Sequence, residues 1–249
     1  MKQGLTLSAL LLLGGCAAPL SQTPPPGLPA QVSAPEIRVG DGWTYSVRDG
    51  FTGLGRGSQR YRVTGAEGAQ IVVAVSREGT EDEIRVYDRQ WNWLKHPATN
   101  LQSFSYNPAY RAFDFPLAPG KTWKMRLTAT DPVDGRRFPL TIDGTVLGWE
   151  RVKVPAGEFD ALKVRRYVFF DYWEHTVRGR SEIVEHEWYA PAVKQAVRRE
   201  ATAKYLSYLL GESHTGFVRV RGGDRGGDGG PTFVQDDWLI YELASYSVR

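Results

Sequence analysis

Hydrophobic and polar residues alternate along most of the chain, as expected for β-strands that bury one face. In residues 122–129 (TWKMRLTA) every second side chain is apolar and most of the residues between them are polar. The same period of two recurs at 43–48, 71–75 and 138–142, and turns rich in glycine, proline and aspartate separate these runs. No segment keeps an apolar period of about 3.6 residues long enough to form a major helix. The pattern therefore predicts an all-β fold.

The order of the predicted strands also limits their arrangement. Strands that follow one another without crossover helices pair antiparallel, as a meander. A sheet of about ten or more strands curls or splits, because flat sheets of that size are rare. We therefore expect one domain, residues 36–249, built on a strongly curved, many-stranded antiparallel meander sheet, of which a partly open barrel is one form. Its longest strands are expected in 149–202, and the glycine-rich stretch 222–230 is expected to be a flexible loop.

The first fifteen residues have the features of a bacterial signal peptide. Lys2 precedes an apolar run, 5–13, that is too short to span a bilayer. Cys16 follows directly on Leu-Gly-Gly, and this LGGC sequence resembles the lipobox of bacterial lipoproteins. The resemblance implies that residues 1–15 are removed and that Cys16 receives acyl chains such as palmitate, which anchor the protein in a membrane. A chance cysteine in an ordinary signal peptide is the alternative.

The residues after Cys16 suggest a spacer and a location. Residues 17–35 contain six prolines and no charged side chain, a composition that favours an extended polyproline conformation. Residues 16–35 are therefore expected to be the lipidated cysteine and a tether. In Gram-negative lipoproteins an aspartate after the cysteine favours the inner membrane. By that resemblance Ala17 implies the outer membrane, with the domain facing the periplasm.

The charge and cysteine content exclude other classes. Cys16 is the only cysteine, so the folded domain has no disulfide and depends on packing. Removing residues 1–15 removes only Lys2 among the charged residues, which leaves 30 basic and 28 acidic side chains and a net charge of +2. No basic block of the nucleic-acid-binding type is present, and no nucleic-acid partner is predicted.

Two motifs resemble a known family. Residues 155–164 (PAGEFDALKV) and 187–191 (EWYAP) are similar to a turn-and-strand and a strand end in a broad family of exported bacterial β-rich domains of unknown function. The resemblance covers most of 36–205 and the terminal strand. It implies a β-sheet protein of the cell envelope and implies no reaction. The chain departs from the family pattern at Lys194, where a glycine turn is usual.

Two histidines and a carboxylate define the weaker alternative of a metal site. His175 and His186 lie on strands predicted to be neighbours, and with Glu187 they offer nitrogen and oxygen ligands of the kind that bind zinc. Against this site, consecutive strand residues face opposite sides, so His186 and Glu187 diverge. The chain also lacks an HExxH motif. We predict no cofactor.

Hydrolase chemistry has little support in the sequence. No GxSxG motif occurs, and Ser213 next to His214 is not arranged as a nucleophile and base. Asp171 and Glu182 would serve in acid–base catalysis if a cleft brought them together. Pairing with arginines of adjacent strands is the more ordinary explanation of these carboxylates.

The aromatic residues are the more suggestive feature. The segment 91–115 is rich in rings and weak in strand alternation, which is typical of a segment that lines a groove for an apolar or sugar-like ligand. The alternative is that it covers one end of the core. With the rings of the long strands, it supplies the predicted ligand-binding residues: Trp91, Trp93, Phe104, Tyr106, Tyr110, Tyr167, Phe169, Trp173 and Trp188.

Taken together, these features favour a non-enzymatic lipoprotein of the cell envelope. We expect it to bind a hydrophobic ligand or a partner protein on a concave β-sheet face. One alternative is an envelope hydrolase or metal-dependent enzyme that uses the polar cluster 171–187. Another is a structural factor in envelope assembly.

Overall fold

The computed structural model describes residues 20–98, 103–174, 177–207, 232–235 and 237–249. Within these ranges the regular structure is thirteen β-strands and one short 3-10 turn, Pro191–Val193. The strands are β1 (Gly42–Asp49), β2 (Gly55–Gly65), β3 (Gln70–Arg77), β4 (Glu83–Asp88), β5 (Trp93–Pro97), β6 (Ser103–Tyr110), β7 (Thr122–Thr130), β8 (Arg137–Val154), β9 (Gly157–Glu174), β10 (Val177–Ala190), β11 (Gln195–Ser207), β12 (Thr232–Gln235) and β13 (Leu239–Ser247).

Several sequence predictions fall on other parts of the chain. The signal peptide 1–15, Cys16, His175 and the glycine-rich stretch 222–230 lie outside the described residues. In the part of the chain that is described, no helix is long and apolar enough to cross a membrane.

The sheet closes on itself. Strands β1 to β11 pair antiparallel in chain order, and β13 pairs with both β11 and β1. The ring therefore holds twelve strands, β1–β11 and β13, while β12 pairs with β11 beyond the end of β13. The predicted all-β antiparallel meander is confirmed. Closure of the ring joins the two edges that a partly open barrel would leave for pairing with another chain, and β12 remains as a short edge strand.

The connections between strands alternate between the two ends of the barrel. The end that holds the start of β1 also holds the turn between β10 and β11, and aromatic side chains fill it. Trp43 Nε1 donates to the carbonyl of Val193 at 2.8 Å, and Trp91 Nε1 donates to the carbonyl of Lys194 at 2.9 Å. The two indoles also meet edge to face, with ring centroids 5.6 Å apart. We call this the capped end.

Lys194 lies in the turn between β10 and β11, where the sequence resemblance would place a glycine. Its backbone is left-handed, with φ 59°, which is the conformation that favours glycine. Its Nζ donates to the carbonyls of Glu36 and Arg249, at 2.9 Å for Glu36. The lysine therefore keeps the turn and links Glu36 to Arg249 at the capped end.

The described part of the predicted tether, residues 20–35, packs on the barrel. Ser21 and Trp149 exchange two backbone hydrogen bonds of 2.8 and 2.7 Å. Val32 does the same with Leu117, at 2.8 Å in both directions, and is 4% exposed. Prolines lack the N–H group needed for a sheet ladder. A proline-rich composition therefore gave no sign that this segment would bind to the barrel. Residues 20–35 thus belong to the folded body.

Docking of Ser21 depends on Gly148, and we expect Gly148→Ala to release it. The φ of Gly148 is +147°, and an added Cβ would lie 2.8 Å from the carbonyl oxygen of Ser21. The variant should lose the hydrogen-exchange protection of the Ser21 amide and become sensitive to protease near residue 20. Gly135→Ala is the matched control, because its φ is +73° with no atom within 4 Å of the added Cβ. Equal protection of Ser21 in both variants would contradict the docked arrangement.

Candidate functional site

A cavity of about 600 Å³ lies inside the barrel. Its inner part is lined by Trp93, Arg166 and Glu187, and it extends towards Arg77 and Asp237, which belong to the end opposite the cap. The size lies within the usual range of small-molecule sites, about 300–1,000 Å³. Unlike most such sites, this one is lined by many charged side chains.

Arg166 is the centre of the first charged group in the barrel. Its guanidinium donates to Glu185 at 2.7 Å, to Glu187 at 3.0 Å and to the carbonyl of Ala112 at 2.8 Å. The residue is 1% exposed, and the Tyr110 hydroxyl donates to the same Glu185 at 2.6 Å. Burial acts to lower the pKa of Arg166, but the two carboxylates outweigh it and raise that pKa above its ordinary value. Arg166 is therefore charged and paired with both carboxylates.

The strand register places this group. Arg166 on β9 is opposite Glu185 on β10, and Glu187 follows on the same face because side chains alternate along a strand. In the sequence, Arg166 has the same phase as the buried Val164 and Val168. An arginine at a strand position where the alternation calls for an apolar residue indicates a buried charge. This signal was not recognised in the sequence analysis.

Tyr61 is the centre of the second charged group. Its oxygen accepts hydrogen bonds from Arg85 at 2.8 Å and from Arg199 at 2.9 Å, and its hydroxyl donates to Gln59 at 2.9 Å. Burial acts to raise the pKa of Tyr61, yet the two guanidinium groups lower it below its ordinary value. Arg85 is also paired with Glu83 at 2.9 Å.

His96 is neutral in this group. Its Nδ1 lies 2.7 Å from the carbonyl of Pro97, which can only accept, so the proton is on Nδ1. Its Nε2 then faces Arg85 at 3.4 Å as an acceptor. Burial and the Arg85 charge together hold the pKa of His96 well below its ordinary value.

Trp93 supplies an aromatic wall to the cavity. It stacks between His96, at 3.8 Å and 14°, and Tyr110, at 4.0 Å and 8°. Its exposed fraction is only 7%, because both faces of the indole are covered and one edge meets the cavity. Trp93 and Tyr110 are therefore the predicted ligand-binding residues that lie nearest to the charged groups.

The remaining predicted residues do not share that surface. Trp91 is buried at the capped end, while Phe104 and Tyr106 are buried within the barrel core. Phe104 packs edge to face on Phe138 and Phe170, at 5.9 and 5.5 Å.

Three other predicted residues face the outside of the barrel, because their phase is opposite to that of Arg166. Tyr167 is 40% exposed beneath Arg165, and Phe169 lies beneath Arg180. The ring of Trp188 lies between two side chains of neighbouring strands, 4.5 Å from Lys163 and 4.9 Å from Arg198. Trp173 belongs to β9, and its side chain lies outside the described part.

The residues of the metal alternative also diverge. His186 faces outwards, 3.9 Å from Glu200, whereas Glu187 points inwards to Arg166. Burial and the nearby Lys163 lower the pKa of His186 to about 4, so the ring is neutral at pH 7. Among the described residues, no group of three or more His, Cys, Asp or Glu side chains is placed to hold a metal ion.

The carboxylates of the 171–187 cluster pair across strands. Asp171 accepts from Arg180 at 2.7 Å, and Glu182 lies 3.3 Å from Lys204. These pairs are partly exposed on the outer face, where ion pairs contribute about 1 kcal/mol or less.

Comparison with known proteins identifies the fold. The sequence matches no protein-family model and no curated protein. A crystal structure of a candidate lipoprotein from Parabacteroides distasonis aligns over 87% of this chain and 99% of its own, with 15% identity and a TM-score of 0.50. A crystal structure of a candidate exported protein with a YmcC-like fold from Bacteroides fragilis aligns over the same shares, with 14% identity and a TM-score of 0.47. The chain therefore shares its all-β fold with the Parabacteroides protein.

Proposed function

We propose that the protein is a non-enzymatic lipoprotein of the cell envelope that binds a small ligand inside its barrel. The observation that carries this proposal is the cavity of about 600 Å³ within a closed sheet. A closed barrel with an interior cavity is suited to hold one small ligand. The LGGC sequence and the description of the Parabacteroides protein as a candidate lipoprotein support the location.

The charged groups favour binding over catalysis. Arg166, Glu185 and Glu187 satisfy one another through hydrogen bonds of 3.0 Å or less. His96 is held neutral, with its Nδ1 proton on a backbone carbonyl. Groups fixed in this way orient a ligand, whereas a general base needs a free position towards the proton that it removes.

The charged lining of the cavity favours a different class of ligand from the hydrophobic one expected from the sequence. A purely hydrophobic ligand would remove water from the charged lining without replacing its hydrogen bonds, which is unfavourable. A ligand with polar groups at one side and a ring or chain against Trp93 fits the lining better. We therefore propose a small amphipathic ligand in place of a wholly apolar one.

A second candidate function is binding of a partner protein on the outer face. A pocket of about 440 Å³ lies beside Tyr167 and Phe169, between β9, β10 and β11. The exposure of Tyr167, 40%, is what favours this alternative, since exposed tyrosines are common in protein interfaces.

The proposed anchor would hold the barrel close to its membrane. Leu20 is four residue steps from Cys16, which at about 3.6 Å per step is a reach of roughly 14 Å. Ser21 is bound to the barrel wall at Trp149. The wall near Trp149 would then face the bilayer, which we propose is the outer membrane, with the domain on its periplasmic side.

Cell fractionation and thermal unfolding test the two parts of this proposal. Cys16→Ser should move the protein from the membrane to the soluble fraction, and unchanged membrane association would contradict the anchor. A screen of small amphipathic compounds should include at least one that raises the melting temperature of the wild type, because a ligand at 100 times its Kd adds about 2.7 kcal/mol. The same compound should leave Ala201→Trp unaffected, since Ala201 lines the cavity and an indole there would take space that the ligand needs.

A further inference from the structure

Arg199 is the one arginine of the two charged groups without a carboxylate partner. Arg85 is paired with Glu83 at 2.9 Å, and Arg166 is paired with Glu185 at 2.7 Å. Within the described ranges, no carboxylate oxygen lies within 4 Å of the Arg199 guanidinium, although this residue lines the same cavity. A guanidinium taken from water needs a compensating charge or a full set of hydrogen bonds.

The position of Arg199 is nevertheless fixed. Its guanidinium carbon lies 4.6 Å from the ring centroid of Tyr45, 4.9 Å from that of Tyr61 and 5.0 Å from that of Tyr241. These rings come from β1, β2 and β13, while Glu187 is the neighbour of Arg199 across the β10–β11 ladder. Cation–π contacts of this kind stabilise the charge without using its N–H donors.

The hydrogen bonds of Arg199 leave donors for a ligand. Nη2 donates to the Tyr61 oxygen at 2.9 Å, and Nε is buried without a partner. Nη1 forms no hydrogen bond to a described residue, and the side chain lines the cavity. The Nη1 group, which is neither buried without access nor bonded, is suited to donate to an oxygen atom of an anion.

Two guanidinium groups converge on the Tyr61 side of the cavity. Nη1 of Arg85 and Nη2 of Arg199 both bond to the Tyr61 oxygen, so they are no more than 5.7 Å apart. Of these two guanidinium groups, only Arg85 has a carboxylate within ion-pair distance. Glu185 and Glu187 face the same cavity, but Arg166 binds both.

We infer that Arg199 binds an oxyanion of the ligand, a carboxylate or a phosphate, on the Tyr61 side of the cavity. This inference rests on the proposed function and adds the chemical class of the ligand. The anionic group takes the place of the missing counter-ion. The rest of the ligand then extends towards Trp93, and any donor group on it would meet Glu187.

Calorimetric titration with three probes of one shape tests the inference. Benzoate and phenyl phosphate carry the anion, and benzamide is the neutral analogue. We expect at least one anionic probe to bind the wild type at least tenfold more tightly than benzamide. Arg199→Gln should weaken that probe by about 10- to 100-fold, as expected for loss of a charge-assisted hydrogen bond. The tighter of the two anions identifies the oxyanion.

Two control variants keep the result interpretable. Arg199→Lys retains the charge and should keep part of the affinity, while Arg151→Gln removes an exposed arginine of the outer face and should change nothing. Circular dichroism confirms that each variant is folded. If benzamide binds as well as the anions and Arg199→Gln has no effect, the inference fails while the proposed function stands. If no probe binds the wild type, both fail.

Discussion

Replacing Arg166 by methionine is expected to lower the free energy of unfolding by about 3–5 kcal/mol. The guanidinium is 1% exposed and holds Glu185 and Glu187, which are 6% and 7% exposed. Removing it leaves two buried carboxylates with no counter-charge. The resulting loss of stability is larger than the net stabilisation that the intact ion pairs provide. Urea unfolding followed by tryptophan fluorescence measures the difference.

A second variant separates the lost pairing from the lost volume. The triple variant Arg166→Met, Glu185→Gln, Glu187→Gln removes the positive and the negative charges together, so it should recover most of the loss. Arg151→Met removes a side chain that is 59% exposed and should cost about 1 kcal/mol or less. A loss below about 1 kcal/mol in Arg166→Met would show that the group is not buried as described.

Replacing Trp91 by alanine is expected to cost about 3–5 kcal/mol of stability. The indole is 2% exposed, meets Trp43 and Tyr87 edge to face at 5.6 and 5.1 Å, and donates to the carbonyl of Lys194. Alanine would leave a cavity at the capped end and an unpaired carbonyl at the turn. The measurement is thermal or urea unfolding.

Trp91→Phe is the matched control for that variant. It keeps a ring against Trp43 and Tyr87 but loses the hydrogen bond to Lys194. We therefore expect the free energy of unfolding to fall by about 1 kcal/mol. Ligand binding by Trp91→Phe should equal that of the wild type. A Trp91→Ala variant with wild-type stability and weakened binding would instead support Trp91 as a ligand-binding residue.

The strands were predictable because their signal is local. In residues 122–129 the side chains Trp123 and Leu127 are buried where the period of two places them. Closure of the barrel was not predictable in the same way. It depends on β13 pairing with β1 and β11, and such contacts between distant segments leave no local pattern.

The candidate site was only partly predictable, because strand alternation shows which residues share a face but not which face is inside. Tyr167 and Phe169 share a face, as expected, but that face is the outer one. Trp93 and Tyr110 reach the interior from a segment with weak alternation. The charged lining was missed because Arg85 and Arg199 occupy strand positions where exposed arginines are common, and only the closed sheet shows that they point inwards.

Native mass spectrometry of the protein, extracted from its cells in mild detergent, tests most directly whether the barrel interior is a binding site. The wild type is predicted to carry a bound small molecule. Ala201→Trp, with an indole obstructing the cavity and with unchanged thermal unfolding, is predicted to carry none. Wild-type protein that carries no molecule, or a molecule that remains bound to Ala201→Trp, would contradict the account.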